Sequence, residues 1–187
     1  MNKKILVLDG ISGVPLGLEV TEAFTELGVD VNYVDSSKLS IRKFHKVNSA
    51  IQKVIHSHIL KEDYYRHPKV RNESVENVIK TNKPDIIFVI GFLYRFFELK
   101  FIQQLKQKYE FKLYLYDTDS CNLFNNKREL VYFFNQELAV YDHIYSCSRT
   151  ITDFINKRDA QKASFFPFGA KLIPEQENEK THDVLFV

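Results

Sequence analysis

The sequence predicts an α/β domain built on a doubly wound parallel sheet, a Rossmann-like three-layer α/β/α sandwich of about six strands. Short apolar runs of strand length recur along the chain, and most are separated by segments whose apolar residues fall at three-and-four spacing. Strands joined by helical crossovers favour a parallel sheet covered on both faces, with right-handed connections. The length agrees: 187 residues are enough for one full core and not for two.

Each element has its own local reason. Residues 4–9 are a compact apolar run closed by Asp9-Gly10, a buried strand that turns at once. Leu16, Leu18, Val20, Ala23, Phe24 and Leu27 repeat at helical spacing, and Gly28 ends that helix. Residues 29–34 supply the second strand, with Asp35-Ser36-Ser37 as a turn or helix cap. Ile41, Phe44, Val47, Ile51, Val54, Ile55 and Ile59 lie along one side of a long amphipathic helix, and a shorter helix spans 70–79. Pro84 breaks the chain before a buried strand at 86–90. A helix at 94–108, a strand at 111–116, a polar loop at 117–126 and a helix at 127–140 follow. The alternation closes with a strand at 143–147, a helix to Lys157 capped by Ser148 or Thr150, and a strand at 163–166. The aromatic clusters Tyr132, Phe133, Phe134 and Phe165, Phe166 read as core. Residues 1–172 form the expected Rossmann-like unit, and 173–187 read as an acidic linker followed by the first strand of a further domain.

Composition narrows the function. Hydrophobic residues make up 44% and charged residues 27%, which excludes wholesale disorder, collagen and coiled coil. A net charge of +2 is too small for a dedicated nucleic-acid binder, so no nucleic-acid partner is expected. The first apolar run is too short for a signal peptide and no stretch reaches membrane-spanning length, so the expected location is the cytoplasm. Cys121 and Cys147 lack CxxC spacing, and they read as reduced, structural thiols. Positive charge is concentrated in residues 38–71, where nine Lys or Arg face two acids and four histidines are interspersed. That segment reads either as a solvated helix face or as a peripheral contact with an anionic membrane surface or phosphate groups.

In an open parallel sheet, ligands collect beyond the carboxyl ends of the strands, so the loops there hold the candidates. Gly10, Ser12, Gly13 and Gly17 follow the first strand with GxxGxxxG spacing instead of the dinucleotide GxGxxG. They read either as a close approach to a phosphate or sugar, or as a tight turn. Gly91, Tyr94 and Arg95 follow the third strand and are candidates to line a polar cleft. Asp117 and Asp119 follow the fourth, where one carboxylate would accept a proton from an attacking hydroxyl, or the pair would shape an Asx turn. No third acid or histidine is spaced to complete a metal site, so no metal is expected.

The stretch His143-Ile144-Tyr145-Ser146-Cys147-Ser148, a helix, then Ala163-Ser164-Phe165-Phe166-Pro167-Phe168-Gly169 resembles the close of the first domain in the spore-maturation CgeB-like glycosyltransferases of GT-B architecture. Asp183-Val184-Leu185-Phe186-Val187 is similar to the strand that opens their second domain, and the Asp117 loop falls where they often carry an aspartate. The resemblance implies an acceptor-side half that holds a glycan or phosphate-bearing acceptor of cell-surface polysaccharide synthesis, with Ser148 and Gly169 added to the binding set. It implies a nucleotide-sugar donor bound mainly by the second domain, with no cofactor and no metal. A chain with only the first domain would be inactive by itself, because acceptor and anomeric carbon must be held together. The competing expectation is a noncatalytic ligand- or partner-binding module.

Overall fold

A computed structural model describes residues 3–11, 14–62, 64–118 and 131–169. They form one six-stranded sheet: β1 (Lys4–Asp9), β2 (Asp30–Asp35), β3 (Ile86–Ile90), β4 (Lys112–Asp117), β5 (His143–Ser146) and β6 (Ala163–Phe165). The spatial order is β2-β1-β3-β4-β5-β6 and every pair is parallel. The helices are α1 (Leu16–Glu26), α2 (His45–Val54), α3 (Asn72–Asn82), α4 (Leu99–Tyr109) and α5 (Arg149–Asn156). This is the Rossmann-like three-layer α/β/α fold that the alternation predicts, with strand boundaries displaced by at most one residue.

The order steps one way from β1 to β2 and the other way from β1 through β3 to β6. Right-handed crossovers therefore place α1 on one face and the later helices on the other. Alternate residues of the strands divide accordingly. Leu6, Leu8, Ile87, Val89, Leu113, Leu115 and Ile144 are buried with Val75 and Ile79 of α3, Ile102 and Leu105 of α4, and Ile151 and Ile155 of α5. Ile5, Val7, Phe88, Ile90 and Tyr116 pack on the opposite side against Leu16, Val20 and Phe24 of α1. The central strands β1 and β3 are buried on both faces, which is why both read as unbroken apolar runs.

Several elements differ from expectation. The long helix from Ile41 is shorter: Ile41 forms an isolated antiparallel bridge with Val70, Phe44 takes a left-handed conformation, α2 begins at His45, and residues Ile55–Ile59 continue as a wider π turn. The helix placed at 94–108 divides into a 3₁₀ turn, Leu93–Arg95, and α4. Of the helix placed at 127–140, the described part starts helical at Val131 and Tyr132, then widens into a π turn (Phe133–Glu137) running into a 3₁₀ turn (Leu138–Val140). Gly28 follows α1 at φ +75°, as expected of a terminating glycine, but α3 and α4 end on left-handed Lys83 and Glu110. Phe133 is buried, whereas Phe166, expected in the core, is half-exposed beyond the edge strand β6. The linker and strand expected at 173–187 lie outside the described residues. No helix among those described is long and apolar enough to cross a membrane.

Candidate functional site at the carboxyl rim of the sheet

Parallel register brings the ends of the strands to one edge. Asp9 pairs with Asp35 on one side and with Ile90 on the other, and Asp117 pairs with Ser146. The loops after β1 and β4 thus share the carboxyl end of the sheet. The order reverses between β1 and β3, which is where an α/β sheet opens a crevice. The shallow depression lined by Gln103, Lys106, Gln107, Glu110 and Ala139 lies at the opposite end, where the strands start.

At the reversal, two glycines let the β1 and β3 loops close on each other. Gly10 donates its N–H to the Ile90 carbonyl at 2.8 Å, and a Cβ on Gly10 would stand 3.1 Å from that oxygen and 3.3 Å from Phe96. Gly91 has φ +83°, and a Cβ there would meet Ile11 at 3.1 Å. Both glycines serve the tight turn. Gly91→Ala should therefore lower stability by about 1–2 kcal/mol, read as a fall in urea midpoint, from the left-handed backbone alone. Ser12 and Gly13 lie outside the described residues.

Asp9, which sequence reading treated only as a turn residue, is a buried acid at this reversal, 3% exposed. Its carboxylate accepts from the Ile11 N–H at 2.8 Å, from the Tyr33 hydroxyl at 3.1 Å, and from the Gly17 N–H in the first turn of α1. Burial raises its pKa against those hydrogen bonds, and Tyr33 is pushed up to about 12 by burial and by Asp9. Asp35 caps the 3₁₀ turn Ser36–Lys38, accepting from the Ser37 N–H and hydroxyl, which hold its pKa down.

Asp117, at the end of β4, is 2% exposed and accepts the Ser146 hydroxyl at 2.9 Å. The same Ser146 oxygen accepts the Ser148 N–H at 3.2 Å, and the Cys147 N–H donates to the Asp117 carbonyl at 3.1 Å. The ends of β4 and β5 are thus tied into one polar chain. Half-buried Cys147 is part of it, its Sγ 3.6 Å from the Thr118 carbonyl. Ser148 caps α5, accepting from Ile151 at 3.4 Å. Asp119 lies outside the described residues.

Two candidates occupy other surroundings than the cleft surface assigned to them. Tyr94 is 2% exposed, with its ring among Phe92, Tyr64 and Tyr132, because the 3₁₀ turn Leu93–Arg95 points it into the core. Arg95 is half-buried, with its guanidinium over the Phe92 ring at 5.3 Å. Gly169 is exposed, with open space around it.

The residue behind this arrangement is Glu137, which sequence reading missed. It is fully buried, and its carboxylate receives the Leu93 N–H on one oxygen and the Tyr94 N–H on the other, both at 2.9 Å. The Tyr141 hydroxyl donates to it as well. Burial pushes the pKa of Glu137 up to about 7, against those bonds and the charge of Arg95. The carboxylate thus fastens the loop after β3. A lone acid between two apolar stretches, 132–134 and 138–141, was the available signal. Among the described residues no group of three or more His, Cys, Asp or Glu is placed to hold a metal ion.

No family model matches the sequence, and no curated protein matches it. Among solved structures, the chain is similar to a GDP-D-glycero-L-gluco-heptose synthase from Campylobacter jejuni, determined in the presence of NADPH. That likeness has a TM-score of 0.40 and 10% identity, and covers 87% of this chain and 46% of that one. Against the expectation of no cofactor, the similar enzyme was determined in the presence of a nucleotide cofactor, NADPH. The likeness carries neither that cofactor nor that substrate to this chain, which spans less than half of the synthase.

Proposed function

We propose that the chain is the acceptor-side half of a GT-B glycosyltransferase of the CgeB-like kind, acting with a second, donor-binding domain on a glycan or phosphate-bearing acceptor of the cell surface. The observation that carries this reading is the position of Asp117. An ordered carboxylate stands at the carboxyl rim, one strand beyond the β1/β3 reversal, and is oriented by Ser146, which the Ser148 amide orients in turn. A base in that place serves a hydroxyl brought to the strand ends, and positioned proton transfer contributes typically about 10²–10⁴-fold. Beside it, Gly10 and Gly91 hold the β1 and β3 loops together at the reversal.

The test is sugar transfer by the full-length protein from a panel of nucleotide sugars, with Asp117→Ala beside the parent. The variant should lose at least about a hundredfold in rate. Undiminished transfer would remove the base assignment. Residues 1–187 alone should transfer no sugar, since the donor is held by the other domain.

A further inference from the structure

The helix α2 faces the wrong way for a core helix. Its side chains toward the protein are polar: His45, Ser49, Gln52 and His56 follow one another at spacings of four, three and four, and each is partly buried. Its outer side is apolar. Phe44, Val47, Ile51 and Val54, at spacings of three, four and three, are 79%, 57%, 52% and 57% exposed, and α2 buries none of its residues. Ile59 and Leu60 continue the apolar surface, 71% and 54% exposed.

The inverted helix is held in place. The His45 ring meets the His67 carbonyl at 3.2 Å, and the His56 ring stacks on Tyr65 with centroids 3.5 Å apart while its Nδ1 meets Glu62 at 2.7 Å. The neck of the excursion is closed where Ile41 bridges Val70, and where Arg42 reaches the Val70 carbonyl, Asn72 and Glu98. The apolar stripe is therefore presented by a structure that fixes its outward orientation.

Charge identifies the occupant. No acid occurs between Asp35 and Glu62, whereas Lys38, Arg42, Lys43, Lys46, Lys53 and Lys61 do. At about 100° per residue, Lys46 and Lys53 fall together on one flank of the helix, between the polar side that meets the protein and the apolar stripe. An outward apolar stripe with flanking lysines is the pattern of a helix lying in a membrane interface. A second copy of the chain would bring two cationic surfaces together, which opposes self-association. We propose that α2 and the turn after it dock the protein on an anionic lipid bilayer, with Phe44, Val47, Ile51 and Val54 in the acyl boundary and the lysines at the headgroups.

The experiment is co-sedimentation of the 187-residue chain with vesicles of phosphatidylcholine alone and of equal parts phosphatidylcholine and phosphatidylglycerol. The mixed vesicles should bind at least about tenfold more tightly, with the difference shrinking in high salt. Val47→Asp and Ile51→Asp should each lower that binding about tenfold while leaving the far-UV spectrum and the melting transition in place, because both positions are exposed. Three results would overturn the proposal: no binding to anionic vesicles, equal binding to neutral ones, or binding indifferent to both aspartates. A monomer–dimer equilibrium abolished by Ile51→Asp, without vesicle binding, would give the stripe to a second copy instead.

Discussion

Replacing Glu137 by alanine is expected to lower the stability of the chain by about 3–5 kcal/mol, a large part of what holds a typical domain folded. The substitution leaves the Leu93 and Tyr94 amides and the Tyr141 hydroxyl without the acceptor they share, at a site closed to water. Each unsatisfied donor costs about 1–3 kcal/mol, and the relief from burying one carboxylate offsets part of the sum. Urea denaturation at neutral pH checks the loss.

Glu137 also predicts a pH dependence whose sign is opposite to that of a salt-bridged acid. Its folded pKa of about 7 lies above the ordinary value of 4.5, so the folded state binds the proton more tightly than the unfolded state. The contribution is fully present below pH 4.5 and is lost as pH rises through about 7. Its size is on the order of 3 kcal/mol. Asp35, Glu76 and Asp142 have lowered values and act in the other direction, so the difference between parent and Glu137→Gln isolates the effect. The parent should lose stability relative to the glutamine variant between pH 4.5 and 7. A difference that stays flat across that window would refute the assignment.

Gly17→Ala is the second large effect, and its sign is the informative part. In the first turn of a helix, alanine is ordinarily more favourable than glycine by about 1 kcal/mol. Here a Cβ would stand 2.2 Å from the Asp9 carboxylate oxygen and 2.8 Å from the Asp9 Cβ. Asp9 cannot swing aside without breaking its bonds to Ile11 and Tyr33, and it is buried. Crowding and broken bonds outweigh the propensity gain, for a net loss of about 2–3 kcal/mol. Asp9→Ala combined with Gly17→Ala should recover part of it, with a coupling above about 1 kcal/mol in a double-mutant cycle. A Gly17→Ala protein more stable than its parent would show that Asp9 is not fixed where the geometry puts it.

These two acids show where sequence reading stops. The strands β1 and β3 were legible because they are buried on both faces, which leaves a continuous apolar run with Asp or Gly at its end. Ser148 and Asp35 were legible as caps because capping is a contact of two or three residues along the chain. Asp117 was legible as a rim residue, since any strand ending in an acid puts it there once the sheet is parallel. Asp9 and Glu137 were not, because what defines them is who comes to meet them. Tyr33 reaches Asp9 from 24 positions away, and the Leu93 and Tyr94 amides reach Glu137 from 44 and 43. Tyr94 passed for a cleft residue for the same reason: the turn that carries it into the core is fastened by that distant carboxylate.

The amino-acid sequence by itself determined the alternation of strands and helices, the apolar composition of each strand, the local caps, and the concentration of positive charge between β2 and β3. All of these depend on periodicity or on contacts a few residues long. Only the tertiary structure decided the strand order, the partners of the buried acids, and the direction in which α2 faces. A three-and-four repeat states that one side of a helix is apolar, and it reads the same whether that side is pressed into a core or turned outward. The choice was made by the residues packed against the other side, His67, Tyr65 and Glu62, through contacts that helical periodicity does not encode.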